Sequence, residues 1–123
     1  KLKGAQRLKI YRAGDWVAAS SIVGSFQAHV ARSLMYLGAD VAVVCGDSEG
    51  ETRVSLRSTQ RFLDKTGIKL GTQVSEEMSK RLGGHGGGHA TAASFSTMVG
   101  EDEALGATLK RLAELLGEFR EIT

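Results

Sequence analysis

His85 and His89 stand in the run Gly83-Gly84-His85-Gly86-Gly87-Gly88-His89, where five of the six residues from 83 to 88 are glycine. Clustered glycines lose more conformational entropy on folding than any other residue and bring no side chain to pack. The usual compensation is main-chain N–H groups brought close to a ligand, typically an anion in a concave nest of amides. A flexible connector is the alternative, and histidines in place of Ser or Asp argue against it. A second cluster lies upstream, in Glu51 to Ser58. There the alternation of a strand puts Val54 and Leu56 on one face and Arg53, Ser55 and Arg57 on the other. Arg57 carries a planar donor fork suited to phosphate oxygens, and Ser55 and Ser58 add hydroxyl donors. The plainer readings are a surface salt bridge for Arg57 and a turn-capping histidine for His89.

Two familiar phosphate loops are excluded by the residue after the last glycine. A nucleoside-triphosphate loop needs Lys and then Ser/Thr at that point, and here His89 comes directly after Gly88. The dinucleotide fingerprint, begun at Gly84, fails at its sixth position, where His89 stands, and the run comes after a helix instead of a strand. His85 and His89 have the H-x-x-x-H spacing of a helical zinc site. Three intervening glycines oppose a helix, however, and no third ligand is evident. No metal site is expected in this chain.

The elements that must position these residues are set by periodicity. Residues 8 to 12 and 16 to 19 read as short strands around Ala13-Gly14-Asp15. Ile22, Phe26, Val30, Leu34 and Leu37 recur at spacings of three and four, which predicts a helix over 21 to 37 capped by Ser20 or Ser21 and stopped by Gly38. Asp40 to Cys45 reads as a buried strand, Gly46 to Gly50 as a turn, and Glu51 to Ser58 as the returning strand. Helices are expected from about 59 to 65, closed by Gly67, and from 74 to 82, capped by Thr72 or Ser75. Ala90 to Ala93 could begin a helical turn before a weak strand at 94 to 99. Acidic residues 101 to 103 open a last helix, whose stripe Leu105, Leu109, Leu112, Leu116 and Phe119 is core or subunit contact. The pattern is α/β: one domain with a mixed sheet flanked by helices.

The chain has 123 residues, with 41% hydrophobic and 24% charged residues, 16 glycines and no proline. That size buries enough surface for a core without disulfides, and no apolar run is long enough to span a membrane. Cys45 is the only cysteine and lies in an apolar run, so a buried structural thiol in a reducing, cytoplasmic setting is expected. A start at Lys1 without a charged-then-apolar leader fits a fragment excised from a longer protein and no signal peptide. Residues 1 to 12 hold five bases and no acid, while residues 101 to 123 hold six acids and three bases. The basic segment, residues 1 to 15, is either a phosphate-touching arm or the remnant of a linker.

Gly86 to Ala93 resembles the GGGHxxAA signature of the DHH-associated C-terminal domain of DHH-family phosphoesterases. The signature usually ends in a further glycine, where this chain has Ser94. The preceding helix, the strand Ala39 to Val44 and the returning strand Val54 to Ser58 repeat the family's order of elements. The superfamily includes RecJ-type single-strand exonucleases, nano-RNases and cyclic-dinucleotide phosphodiesterases. The resemblance implies a substrate-binding domain over 16 to 123. In it Gly86, Gly87, Gly88, His89 and Arg57, with Ser55, Ser58 and His85 nearby, would hold a phosphate or the terminal nucleotide of a single-stranded oligonucleotide. It also implies a separate N-terminal DHH catalytic domain holding a divalent metal, Mn or Mg. This chain has no Asp-His-His motif, so by itself it is expected to bind no cofactor and hydrolyse nothing. Two alternatives stay open. One is an RNA-binding module like that of alanyl-tRNA synthetases, which generally lacks the GGGH histidine. The other is an oligomerisation domain, with a homodimer formed through the C-terminal helix.

Overall fold

A computed structural model describes residues 7–122. Its centre is a seven-stranded sheet in the order β5-β6-β4-β3-β2-β1-β7. The strands are β1 Lys9–Ala13, β2 Trp16–Ile22, β3 Val41–Ser48, β4 Glu51–Ser58, β5 Gly84–Gly88, β6 Ala92–Thr97 and β7 Arg120–Glu121. Only β2 and β3 run parallel, joined by helix α1 (Gln27–Tyr36); every other neighbouring pair is antiparallel. This is the α/β fold with a mixed sheet that the periodicity predicts. The sheet begins ahead of residue 16, because β1, inside the basic segment, pairs with both β2 and β7.

The two faces are covered unequally. On one, Val41, Val43, Cys45, Val54, Leu56 and Phe95 pack with α2 (Gln60–Thr66), a π-helical segment Leu70–Glu76, α3 (Glu77–Leu82) and α4 (Glu101–Leu116). On the other, Ala19, Ala42 and Val44 pack only against α1, through Ala31 and Leu34. The expected α4 stripe belongs to the chain's own core: Leu112 is fully buried, and Leu105, Leu109, Leu116 and Phe119 pack around it. No helix among the described residues is long and apolar enough to cross a membrane.

Local differences from the sequence reading have physical causes. The helix expected from residue 21 starts at Gln27, because Ser20, Ser21 and Ile22 are drawn into β2 by parallel pairing with Val43, Val44 and Cys45. Phe26 ends that connection at φ 60 and is exposed, as is Leu37; of the anticipated stripe Leu34 is buried on α1, where Gln27 and Ala31 join it. The β3–β4 turn is only Glu49-Gly50, both at positive φ, the two-residue hairpin turn that matches strand twist. Ser75 caps no helix; its hydroxyl donates to the carbonyls of Gly87 (3.3 Å) and Ser94 (2.5 Å).

The largest departure is the glycine run, which is an edge strand and not a loop. It forms a hairpin with β6, in register Gly84↔Thr97 to Gly88↔Ala93. Alternate glycines are demanded by contact. A Cβ on Gly86 would collide with the Phe95 Cβ and lie 2.6 Å from the Ser94 carbonyl; on Gly88 it would lie 2.6 Å from the Ala93 Cα. Gly71 of the π-helical segment likewise leaves room for the Gly88 carbonyl. Gly87 is different, since a Cβ there meets only the Glu76 carboxylate, at 3.9 Å.

This packing can be tested at two places. Gly86→Ala should destabilise the chain by about 2 kcal/mol in denaturant unfolding, in the range of overpacked sites, while Gly87→Ala shifts stability by less than about 0.5 kcal/mol. Equal losses would mean that close approach is not what requires Gly86. The Cys45 thiol, fully buried and beside Glu101 and Asp102, is pushed up from 9.0 to about 12. It should resist alkylation at pH 8 until the chain unfolds. Because the folded value is the higher one, its contribution is fully present below pH 9 and is lost as pH rises toward 12. The midpoint of thermal unfolding should therefore fall less steeply over that range in Cys45→Ala than in the unaltered chain.

Candidate functional site

Strand β4 lies between β3 and β6 and sorts its side chains by parity. Val54 and Leu56 enter the core, while Glu51, Arg53, Ser55 and Arg57 share the opposite face. Directly opposed residues lie on the same face of a sheet. The registers therefore add Ala92, Ser94 and Ser96 of β6 and His85 and Gly87 of β5 to that face. Helix α1 packs over β3 and β4 and stops short of β5, leaving the β4-β6-β5 end uncovered on this side.

The backbones of Arg57 and His89 are brought near each other by Ala92. Arg57 opposes Ala92 on β6, and the His89 N–H donates to the Ala92 carbonyl at 2.7 Å. Two strand spacings separate their backbones by roughly 10 Å, a gap that an arginine and an imidazole can bridge through one phosphate-sized anion. The backbone amides are less free than a loop would make them. With His89 in a hydrogen-bonded pair, antiparallel alternation turns the N–H groups of His85 and Gly87 toward β6, and those of Gly84, Gly86 and Gly88 off the sheet edge.

The remaining sequence candidates are spread along the face. Ser55 is buried between its strand neighbours Val44 and Ser94. His85 lies four residues from His89, roughly 13 Å along the strand, and faces Glu51, with Nε2 3.7 Å from the carboxylate. Arg53 donates to the Ser94 hydroxyl at 3.2 Å. Since Glu51 and Glu76 flank the His85–Gly87 end, an anion is favoured at the Arg57–His89 end instead. No group of three or more His, Cys, Asp or Glu side chains comes together among the described residues.

A cleft of about 260 Å³ opens beside Arg57, lined by Arg57, Ser58 and Thr59, by Thr91 of the β5–β6 turn, and by Arg32 and Tyr36 of α1. The Ser58 Oγ, which alternation places with Val54 and Leu56 on the core face of β4, is the one buried side-chain polar atom without a hydrogen-bond partner among the described residues. The turn is held in place by main-chain bonds from Ser58 N–H to the Thr91 carbonyl (3.0 Å) and from Leu70 N–H to the Ala90 carbonyl (2.9 Å). Arg32 escaped the sequence reading because its helix was scanned for apolar spacing; a cation one turn from Tyr36 was the available signal. A larger groove of about 1050 Å³ lies on the other flank of α1, among Phe26, His29, Val30 and Leu37, and includes Arg7 of the basic segment but none of the residues of the expected glycine-run and β4 site.

Residues 9–118 match the DHHA1 domain family. Over 116 residues the chain is 32% identical to an uncharacterized protein of Methanocaldococcus jannaschii, a match that takes in 93% of this chain and 34% of that protein. The chain thus spans about a third of that relative's length. Among solved structures it is similar to the C-Ala domain of Aquifex aeolicus alanyl-tRNA synthetase, with a TM-score of 0.66 at 18% identity, covering 88% of this chain and 97% of that one. It is also similar to the DHH domain of a member of the s1p family of ribosomal proteins, with a TM-score of 0.61 at 14% identity, covering 90% and 29%. A third is a pGpG-specific phosphodiesterase of Vibrio cholerae, with a TM-score of 0.56 at 12% identity, covering 93% and 36%. At these identities the likeness is one of fold.

The orphaned Ser58 hydroxyl can be tested directly. A buried polar group without a partner costs about 1–3 kcal/mol. Ser58→Ala should therefore leave the ligand-free chain as stable as before or more stable by about 1 kcal/mol in denaturant unfolding. A loss larger than that would show that the hydroxyl has a structural partner.

Proposed function

The chain belongs to the DHHA1 domain family, which is associated with DHH phosphoesterases, and on that premise we propose that it is the substrate-binding half of such an enzyme. The ligand is a phosphate at the end of a single-stranded oligonucleotide, and the whole protein is an exonuclease-like phosphodiester hydrolase. One observation carries this reading: Arg57 stands at a cleft lined also by Arg32 and by Thr91 of the β5–β6 turn, with no carboxylate in its lining, and the backbone of His89 is bonded to Ala92, the residue opposite Arg57. Arg57 supplies a bidentate fork and His89 a ring N–H, whereas the amides of Gly86 and Gly88 leave β5 on the edge away from Arg57.

These groups bind and orient. The chain contributes charge neutralisation and register, so that the bond to be broken is presented to a second domain. That DHH domain supplies divalent metal chemistry when present, and no donor set among the described residues of this chain fits such an ion. A second reading, an RNA-binding module, draws on the fold likeness to a synthetase C-Ala domain nearly all of whose length is covered. His89 favours the phosphoesterase reading, since modules of that kind generally lack it.

Titration of this chain with a short single-stranded oligonucleotide at low salt tests the proposal. Affinity should fall as salt rises. Arg57→Ala should weaken binding more than tenfold, because a hydrogen bond to a charged group is worth about 1.5–3 kcal/mol. Binding that is indifferent to Arg57 would overturn the assignment, and a marked preference for folded RNA over the single strand would favour the second reading.

A further inference from the structure

Resting on the function proposed for Arg57 and His89, we propose that helix α1 supplies the other wall of a nucleotide-binding cleft, with Arg32 as a second phosphate ligand beside Arg57 and Tyr36 as the platform on which a base stacks. Three observations meet here. First, neither the Arg32 nor the Arg57 side chain makes a hydrogen bond or ion pair among the described residues, and no Asp or Glu lines the cleft they share. Two guanidinium groups on one cleft without a carboxylate repel each other unless an anion lies between them. Second, Thr91 of the β5–β6 turn, tied to β4 by the bond from the Ser58 N–H to its carbonyl, adds a hydroxyl-bearing residue to the lining of the same cleft. Third, Tyr36 is 90% exposed, although large aromatic side chains are normally at least partly covered. It lies one helical turn from Arg32 and lines the same cleft.

A bare anion needs the arginines and the hydroxyl; it has no use for the ring. An aromatic face beside a paired-cation site is the arrangement that holds a nucleotide, with the phosphate on the guanidinium groups and the base on the ring. The cleft volume, about 260 Å³, takes a phosphate with part of its sugar and leaves the base at the mouth, where Tyr36 stands. His89, on the far side of Arg57, then faces the next phosphate along the strand. The specificity that results is for a nucleotide unit of any base, because every base has a face that stacks.

The test is titration of this chain at low salt with a 5′-phosphorylated dinucleotide, with the same dinucleotide lacking both bases, and with inorganic phosphate. Tyr36→Ala should weaken the dinucleotide about tenfold and leave the abasic analogue unchanged, while Tyr36→Phe retains affinity. Arg32→Ala should weaken dinucleotide and analogue alike, about tenfold, and lower the salt slope by about 0.7, the value of one phosphate contact on a single strand. Both side chains are exposed, so neither variant threatens folding. Equal effects of Tyr36→Ala on the two ligands, or Arg32→Ala without change in affinity and slope, would overturn the proposal. If Arg57→Ala still weakens binding in that case, the proposed function survives without it. If the unaltered chain binds none of the three probes, both fall together.

Discussion

The strict two-residue alternation of β4, paired on both sides, is the constraint on which the rest of the molecule depends. Val54 and Leu56 are completely buried, so the strand cannot slip by one residue without exchanging them for Arg53, Ser55 and Arg57. Exposing two core side chains and burying guanidinium groups would cost far more than the few kcal/mol by which domains of this size are stable. The core thus fixes which way Arg57 faces. Because β6 is registered on β4 and β5 on β6, the same constraint brings the backbone of His89 next to Ala92, opposite Arg57.

The glycines do a different job from the one their number first implies. At Gly86 and Gly88 the absent side chain lets β5 close on β6, and at Gly71 it lets the π-helical segment close on β5. That close approach positions the turn carrying His89 and Thr91 beside the end of β4, where the bond from Ser58 to Thr91 ties it. Charge then varies along the face. Glu51 and Glu76 lie toward the His85–Gly87 end, whereas Arg57 and Arg32 line the cleft without an acid among its lining residues. An anion arriving at this surface meets a gradient that leads it to Arg57.

Much of this was legible in the sequence, because it rests on local signals. The parity of β4, the short helix α2 with its Gly67 stop, and the acidic start of α4 are properties of neighbouring residues, and each appears in the fold. Elements decided by distant partners were not legible. Ser20 to Ile22 read as a helix start because their spacing fits one, yet parallel pairing with β3 takes them into β2. The glycine run read as a loop because its sequence carries no strand propensity, and only close contact with Phe95 and Ala93 makes it a strand. The cleft combines residues from α1, β4 and the β5–β6 turn that are far apart in the chain, so Arg32 had no neighbour to mark it.

The location of a bound nucleotide phosphate, between α1, the end of β4 and the β5–β6 turn, decides between this cleft and every other surface of the molecule. Backbone amide chemical shifts recorded as this chain is titrated with a 5′-phosphorylated dinucleotide test it most directly. Saturating shifts should cluster at Arg32, Tyr36, Arg57, Ser58, His89 and Thr91, with little change around Phe26, His29 and Leu37 in the larger groove. Shifts centred on that groove, or on the His85 end of β5, would contradict the assignment.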